Sequence, residues 1–216
     1  MNISEADITG YLATALDPTL PPESPYPAEL LDGEPRPVAV LIPLLRQEGE
    51  WNVLFIRRTV NEHDRHGGQV AFPRGRCDPG DPDAETAALR EAFEETGIEP
   101  ADVRVLGRLR DILTISNYRV TPVVGVIPWP YALRPQSEEV SWIFTIPLKW
   151  LADPANRKVQ KRSWLHLGNP VPMIYFAPYD GETLWGASAR MTLLLLESLG
   201  LSLPGDRYSG GGKCNP

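Results

Sequence analysis

Residues 72–98, FPRGRCDPGDPDAETAALREAFEETGI, decide how this chain reads: a loop broken by proline and glycine runs directly into a short acidic helix. Pro73, Gly75, Pro79, Gly80 and Pro82 forbid regular structure between Phe72 and Asp81, because glycine admits positive φ and proline withholds a donor. The helix follows, with Asp81 as N-cap, Pro82 in the first turn, Asp83 and Glu85 at the positive end of the dipole, and Gly97 as the stop. Leu89, Ala92, Phe93 and Thr96 recur at helical intervals and make a face suited to packing on a sheet. Glu91, Glu94 and Glu95 fall together on another face, where each like-charged pair costs roughly a few tenths of a kcal/mol. Arg90 lies within reach of Glu94, yet one guanidinium does not neutralise three carboxylates. Taken alone, REAFEET reads as a solvated helix face with an ion pair. The other reading is a seat for a hard divalent cation, Mg²⁺ or Mn²⁺, which prefers oxygen ligands.

Context favours the cation. Gly75, the short loop, and Arg90, Glu91, Ala92, Phe93, Glu94, Glu95, Thr96, Gly97 and Ile98 resemble the Nudix hydrolase signature: a glycine, a loop, then R-E-hydrophobic-x-E-E-x-G-hydrophobic. One departure is visible. The general pattern has seven residues between the loop acid and the arginine, whereas Asp81 and Arg90 are separated by eight. The preceding stretch resembles the extra motif of the coenzyme A diphosphatase branch. Leu54, Arg58 and Thr59 match its start and Gly68, Phe72, Pro73 and Gly75 its end, with Ile56 in place of a threonine and Arg74 in place of the first glycine of F-P-G-G. Asn117 to Pro128, Glu139-Val140 with Phe144, Pro147 and Leu148, and Trp185-Gly186 are similar to the same branch.

The resemblance implies an α/β fold, the Nudix α/β/α sandwich around a mixed sheet. It also implies a pyrophosphohydrolase that cleaves a nucleoside diphosphate linkage. Glu91, Glu94 and Glu95, with the Gly75 carbonyl, would hold Mg²⁺ or Mn²⁺. Arg90 would orient a glutamate, and Glu139 would ligate a cation or take a proton from water, unless it is merely an exposed acid leading a strand. Arg58, Arg65, His66, Gln69 and Arg74 are candidate substrate contacts. Each has a plainer reading: surface placement for Arg58 and Arg65, a hydrogen-bonded structural role for His66, and solvent exposure for Arg74 on backbone that glycine adopts at lower cost. Coenzyme A or an acyl-CoA is the expected substrate. The alternatives are another nucleotide such as ADP-ribose or NADH, or a non-catalytic nucleotide-binding module in which Arg74 has closed the site.

With 216 residues and 42% hydrophobic content the chain can bury one good core. A formal net charge of −7 argues against nucleic acid or an acidic membrane surface as the main partner, so a small-molecule nucleotide is expected. Two cysteines, Cys77 and Cys214, make no disulfide framework, and the longest apolar run, near Leu193 to Leu196, is too short to span a bilayer; a cytoplasmic protein is expected. The assembly is left open, a homodimer included.

Residues 1–37 read as a helix opened by the capping box Ser4 to Asp7, with Ile8, Tyr11, Leu12 and Leu16 as its stripe, followed by a proline-rich connection. The hydrolase domain spans 38–203 and a glycine-rich tail 204–216. Val38 to Ile42 and Trp51 to Arg57 form a hairpin, with later strands at Val103–Leu109, Val120–Ile127 and Val140–Ile146. A late hairpin falls at Ser163–Leu167 and Met173–Phe176, and the leucines after Trp185 belong to a core helix.

Overall fold

The computed structural model describes residues 3–26, 33–60, 67–162 and 170–202. In chain order these form α1 (Glu5–Ala15), β1 (Arg36–Gln47), β2 (Glu50–Arg58), β3 (Val70–Ala71), β4 (Arg74–Arg76), α2 (Ala84–Thr96), β5 (Arg104–Arg108), β6 (Ile112–Leu113), β7 (Tyr118–Val126), β8 (Val140–Pro147), α3 (Leu148–Ala152), β9 (Arg157–Arg162), β10 (Val171–Phe176) and α4 (Gly186–Ser198).

Strand β1 is the hub of a mixed sheet. It runs parallel to β7 from Arg36↔Tyr118 to Leu44↔Val126, while its other edge pairs antiparallel with β4 at Val38–Val40 and with β2 at Leu44–Gln47. β8 extends the sheet beyond β2, and β5 and β6 pair with β7. The β1–β2 turn uses Glu48 at φ 52° and Gly49 at φ 81°, the left-handed pair that matches strand twist in a two-residue hairpin.

The apolar run in β1 is continuous because both faces of the sheet are covered. Val38, Val40, Ile42 and Leu44 face a core shared with Ile8 and Leu12 of α1 and with the leucines of α4. Ala39 and Leu41 face α2, whose contact stripe is Ala87, Ala88 and Ala92. This is the expected α/β/α sandwich.

Helix α2 differs in detail from its sequence reading. Asp83, not Asp81, caps it by accepting the Thr86 N–H at 2.8 Å, while Gly97 ends it in the left-handed conformation at φ 72° as expected. Phe93 is 42% exposed, so it does not lie on the sheet-facing stripe; three small alanines let the helix axis come close to β1 instead. The N-terminal capping box is present, and α1 packs into the main core, where Trp51 donates its ring N–H to the Ile3 carbonyl. Tyr11 is exposed, leaving Ile8 and Leu12 as the buried stripe. The proline-rich connection is ordered at Glu23, which bridges to β6. The late hairpin pairs β9 with β10, so its first strand lies at 157–162, before the expected position; residues 163–167 lie outside the described residues. The tail from 204 also lies outside them. Among the described residues no helix is long and apolar enough to cross a membrane.

Candidate active site

Phe72 sets the position of the loop before α2. Its side chain is fully buried and stacks on Phe55 of β2 with ring centroids 4.7 Å apart, anchoring the crossing from β3 to β4. Strand β4 then lays Gly75 opposite Ala39, directly beneath α2. The approach is so close that a Cβ on Gly75 would fall 1.8 Å from the Glu91 carboxyl carbon. Glycine is required here for space, since Gly75 has no positive φ.

The three helix acids occupy three environments. Glu95 is 2% exposed; its Oε2 accepts the Arg74 backbone N–H at 2.9 Å, and its Oε1 lies 3.6 Å from the Arg58 guanidinium, accepting no hydrogen bond. Burial pushes its carboxyl up to about 7, against the pull of the Arg74 N–H and Arg58. Glu91 is half-buried and also raised, by burial first. Glu94 is exposed on the wall of a cleft of about 740 Å³.

Arg90 organises this face. Its guanidinium grips Asp81 through Nε at 3.1 Å and Nη2 at 2.9 Å, and donates to Glu91 at 2.9 Å, to Glu94 at 3.3 Å and to the Arg76 carbonyl at 2.9 Å. Asp81 accordingly sits below the usual carboxylate range, chiefly through its bond from Arg90. The extra residue between Asp81 and Arg90 is therefore accommodated: the loop still delivers a carboxylate to the guanidinium in bidentate fashion. The repulsion among the helix acids is offset by two arginines, Arg90 from the helix itself and Arg58 from the end of β2.

Glu139 reaches the same cleft from the turn before β8. Gln136 holds that turn, its side-chain oxygen accepting the N–H groups of Glu138 and Glu139 and its own N–H donating to the Glu95 carbonyl. The Thr59 N–H bonds to the Glu139 carbonyl at 2.8 Å from the other side. Four further arginines, Arg58, Arg74, Arg76 and Arg36, also line the cleft, Arg36 lying over the Tyr118 ring at 4.4 Å.

The structure thus gathers Arg58, Arg74, Gly75, Arg90, Glu91, Glu94 and Glu139 around one cleft, with Glu95 buried behind it. Arg74 lies in regular strand pairing with Val40 and has no positive φ, so it carries no backbone strain, and its side chain faces the cleft without closing it. Gln69 lies instead in an adjoining apolar pocket. Arg65 and His66 lie outside the described residues. The sequence reading missed Arg76, Tyr118, Arg36 and the anchoring role of Gln136. No local pattern marks them; Asp81 alone carried a signal, its place six residues after Gly75.

The fit to a divalent cation can be tested on this geometry. Among the described residues no three acids, cysteines or histidines already converge in coordinating geometry, because Arg90 draws Glu91 and Glu94 to itself. The donor set is nonetheless all oxygen, as hard cations prefer. One buried carboxylate oxygen of Glu95 lacks a hydrogen bond, and the missing Cβ of Gly75 lets the Glu91 carboxylate lie against the loop backbone. These residues fit the ion.

Similarity to known proteins extends over more than half of the chain. The model of the NUDIX domain matches residues 35–168. NudL of Escherichia coli, an uncharacterized Nudix hydrolase, is 38% identical over 150 residues, covering 69% of this chain and 70% of its own. NudL of Shigella boydii is 37% identical over the same shares. A MutT/nudix family protein from Enterococcus faecalis aligns over 93% of this chain and 81% of its own, at 14% identity and a TM-score of 0.48.

Proposed function

The chain belongs to the NUDIX domain family of pyrophosphohydrolases, and on that premise we propose that it hydrolyses coenzyme A or an acyl-CoA to 3′,5′-ADP and 4′-phosphopantetheine or its acylated form. The observation that supports a diphosphate substrate is a cleft lined by both signs of charge, Glu91, Glu94 and Glu139 together with Arg58, Arg74 and Arg76. A diphosphate in this cleft meets guanidinium forks suited to phosphate oxygens and, among the same residues, oxygen ligands for its counter-cation. The preference for coenzyme A rests on the motif residues from Leu54 to Gly75 and from Asn117 to Pro128.

Nudix hydrolases use divalent ions such as Mg²⁺ or Mn²⁺. In this chain Glu91, Glu94 and Glu95, with the Gly75 carbonyl, would hold the ion, which when bound neutralises charge on the diphosphate and acidifies water. Arg58 and Arg74 bind phosphate oxygens. Glu139, held by Gln136 and Thr59 at the cleft mouth, accepts the proton of the attacking water. Arg90 is a positioning residue; locked to Asp81, it fixes the orientation of Glu91 and Glu94. Localisation in the cytoplasm and action without a nucleic-acid or membrane partner belong to the same reading.

Turnover of coenzyme A, ADP-ribose and NADH with Mg²⁺ and with Mn²⁺, before and after chelation, tests it. We expect chelator-sensitive hydrolysis with coenzyme A preferred. Equal turnover of all three would overturn the substrate, and no turnover of any would overturn the catalytic reading.

A further inference from the structure

Beside the acidic cleft lies a second, smaller cavity of about 160 Å³ on the α4 side of the sheet. Its floor is Val40, Val70 and Val120, and its cover is Met173 of β10 with Trp185 and Met191 at and in α4. The lining is mostly apolar, with Arg58, Gln69, Arg74, Thr114, Ser116 and Ser188 supplying its polar atoms. Two of the chain's three methionines meet here, and unbranched thioether side chains adapt to an irregular hydrocarbon. Trp185 is fixed by parallel stacking on Tyr175 at 5.9 Å, so the cover is not a loose flap. Its volume is close to the engineered cavity of about 150 Å³ that takes one benzene in another protein, which is room for roughly five or six heavy atoms.

The position of the cavity identifies its occupant. Arg58, Arg74, Ser116 and Tyr118 line both it and the acidic cleft, so the two spaces meet at the guanidinium pair assigned to the phosphates. Whatever enters is one of the two groups bonded directly to the diphosphate. In ADP-ribose and NADH both are hydroxylated sugars, which lose hydration in a mostly apolar pocket. In coenzyme A one is a ribose and the other a CH₂ bearing a quaternary carbon with two methyl groups, and the second suits this lining. We infer that this cavity seats the branched hydrocarbon next to the diphosphate and thereby sets selectivity against sugar diphosphates. The inference rests on the diphosphate binding in the acidic cleft as proposed above, and adds which feature of the substrate is read.

The probes are two esters of ADP that differ only at this point, the neopentyl and the methyl ester. Hydrolysis adds one water across the phosphoanhydride: its oxygen ends on one phosphorus, the bridging oxygen leaves on the other, and the products are AMP and the alkyl phosphate, each taking one of the water's two protons and releasing most of it above about pH 6, where a phosphate monoester ionises a second time. The neopentyl ester is expected to exceed the methyl ester at least tenfold in kcat/KM. Ala187→Phe, at an exposed position on the rim, should reduce that ratio below about threefold, as should Val70→Phe in the floor. Equal rates for the two esters in the wild-type protein, or a ratio unmoved by both substitutions, overturns the inference. Absence of turnover on every ester strikes the hydrolase reading alone. Calorimetric binding then decides the pocket: a tenfold tighter Kd for the neopentyl ester supports it, and equal Kd values overturn it.

Discussion

Gly75→Ala is the most direct test of how the loop serves the helix. Gly75 lies in extended backbone paired with Ala39, so alanine suits the conformation, and the backbone carbonyl is kept. The added methyl would stand 1.8 Å from the Glu91 carboxyl carbon and 1.9 and 2.1 Å from its oxygens, whereas ordinary contact begins at 3.4 Å. The carboxylate must retreat by roughly 1.5 Å or more, and a displacement of about 1 Å in a catalytic constellation can cost around a hundredfold in rate. Stability should scarcely change. Glu91 is the far end of a flexible side chain, its partly exposed pair with Arg90 contributes roughly 0–1 kcal/mol, and a glycine-to-alanine change on permitted backbone returns about 0.4–1 kcal/mol. The assay is kcat/KM on coenzyme A, with thermal midpoints, for wild type, Gly75→Ala, Glu91→Ala and the double variant. Each single variant should lose about a hundredfold, and the double variant should be no worse than Glu91→Ala, because both changes remove the same carboxylate from the same place. Near-normal turnover of Gly75→Ala refutes the reasoning. So does a further hundredfold loss when it is added to Glu91→Ala, which would mean that Gly75 acts through something other than Glu91.

Three other outcomes are expected. Phe72→Ala empties a fully buried ring site stacked on Phe55 and should cost roughly 3–5 kcal/mol, lowering the thermal midpoint by about 10 °C; a drop of only a degree or two would show that Phe72 does not anchor the loop. In chelator, stability should fall as pH rises from 4.5 to about 7, because the folded chain keeps the Glu95 proton that the unfolded chain has released; the loss is at most roughly 3 kcal/mol, and Glu95→Gln should flatten the slope. Identical pH profiles for the two proteins would sink that account. Arg90→Lys keeps a charge but cannot hold Asp81 in a fork while reaching Glu91 and Glu94, so kcat should drop at least tenfold with KM nearly unchanged; full activity in the lysine variant would remove Arg90 from its positioning role.

The sequence by itself determined the parts whose causes are local. Loop chemistry between Phe72 and Asp81, the glycine stop at Gly97, the run of β1 and the placement of Glu91, Glu94 and Glu95 on one helix all follow from φ preferences and from the 3.6 and 2.0 periodicities, which need only neighbours in the chain. The N-cap was misplaced by two residues because Asp81 and Asp83 are equally good local candidates; what separates them is the distant guanidinium of Arg90, which takes Asp81. Phe93 was misassigned for a related reason, since apolar character shows that a residue can face a sheet, while the closeness of β1 selects alanines to do so.

Only the tertiary structure decided the rest. That Glu95 is buried and bonded to Arg74, that Arg58 arrives from β2 to face it, that Gln136 ties the Glu139 turn to the end of α2, and that an apolar cavity opens behind the arginines all depend on which strands pair and how near they come. Sheet pairing joins residues far apart in the chain, and the distances it imposes, such as the missing Cβ that lets Gly75 lie under Glu91, have no expression in composition or spacing.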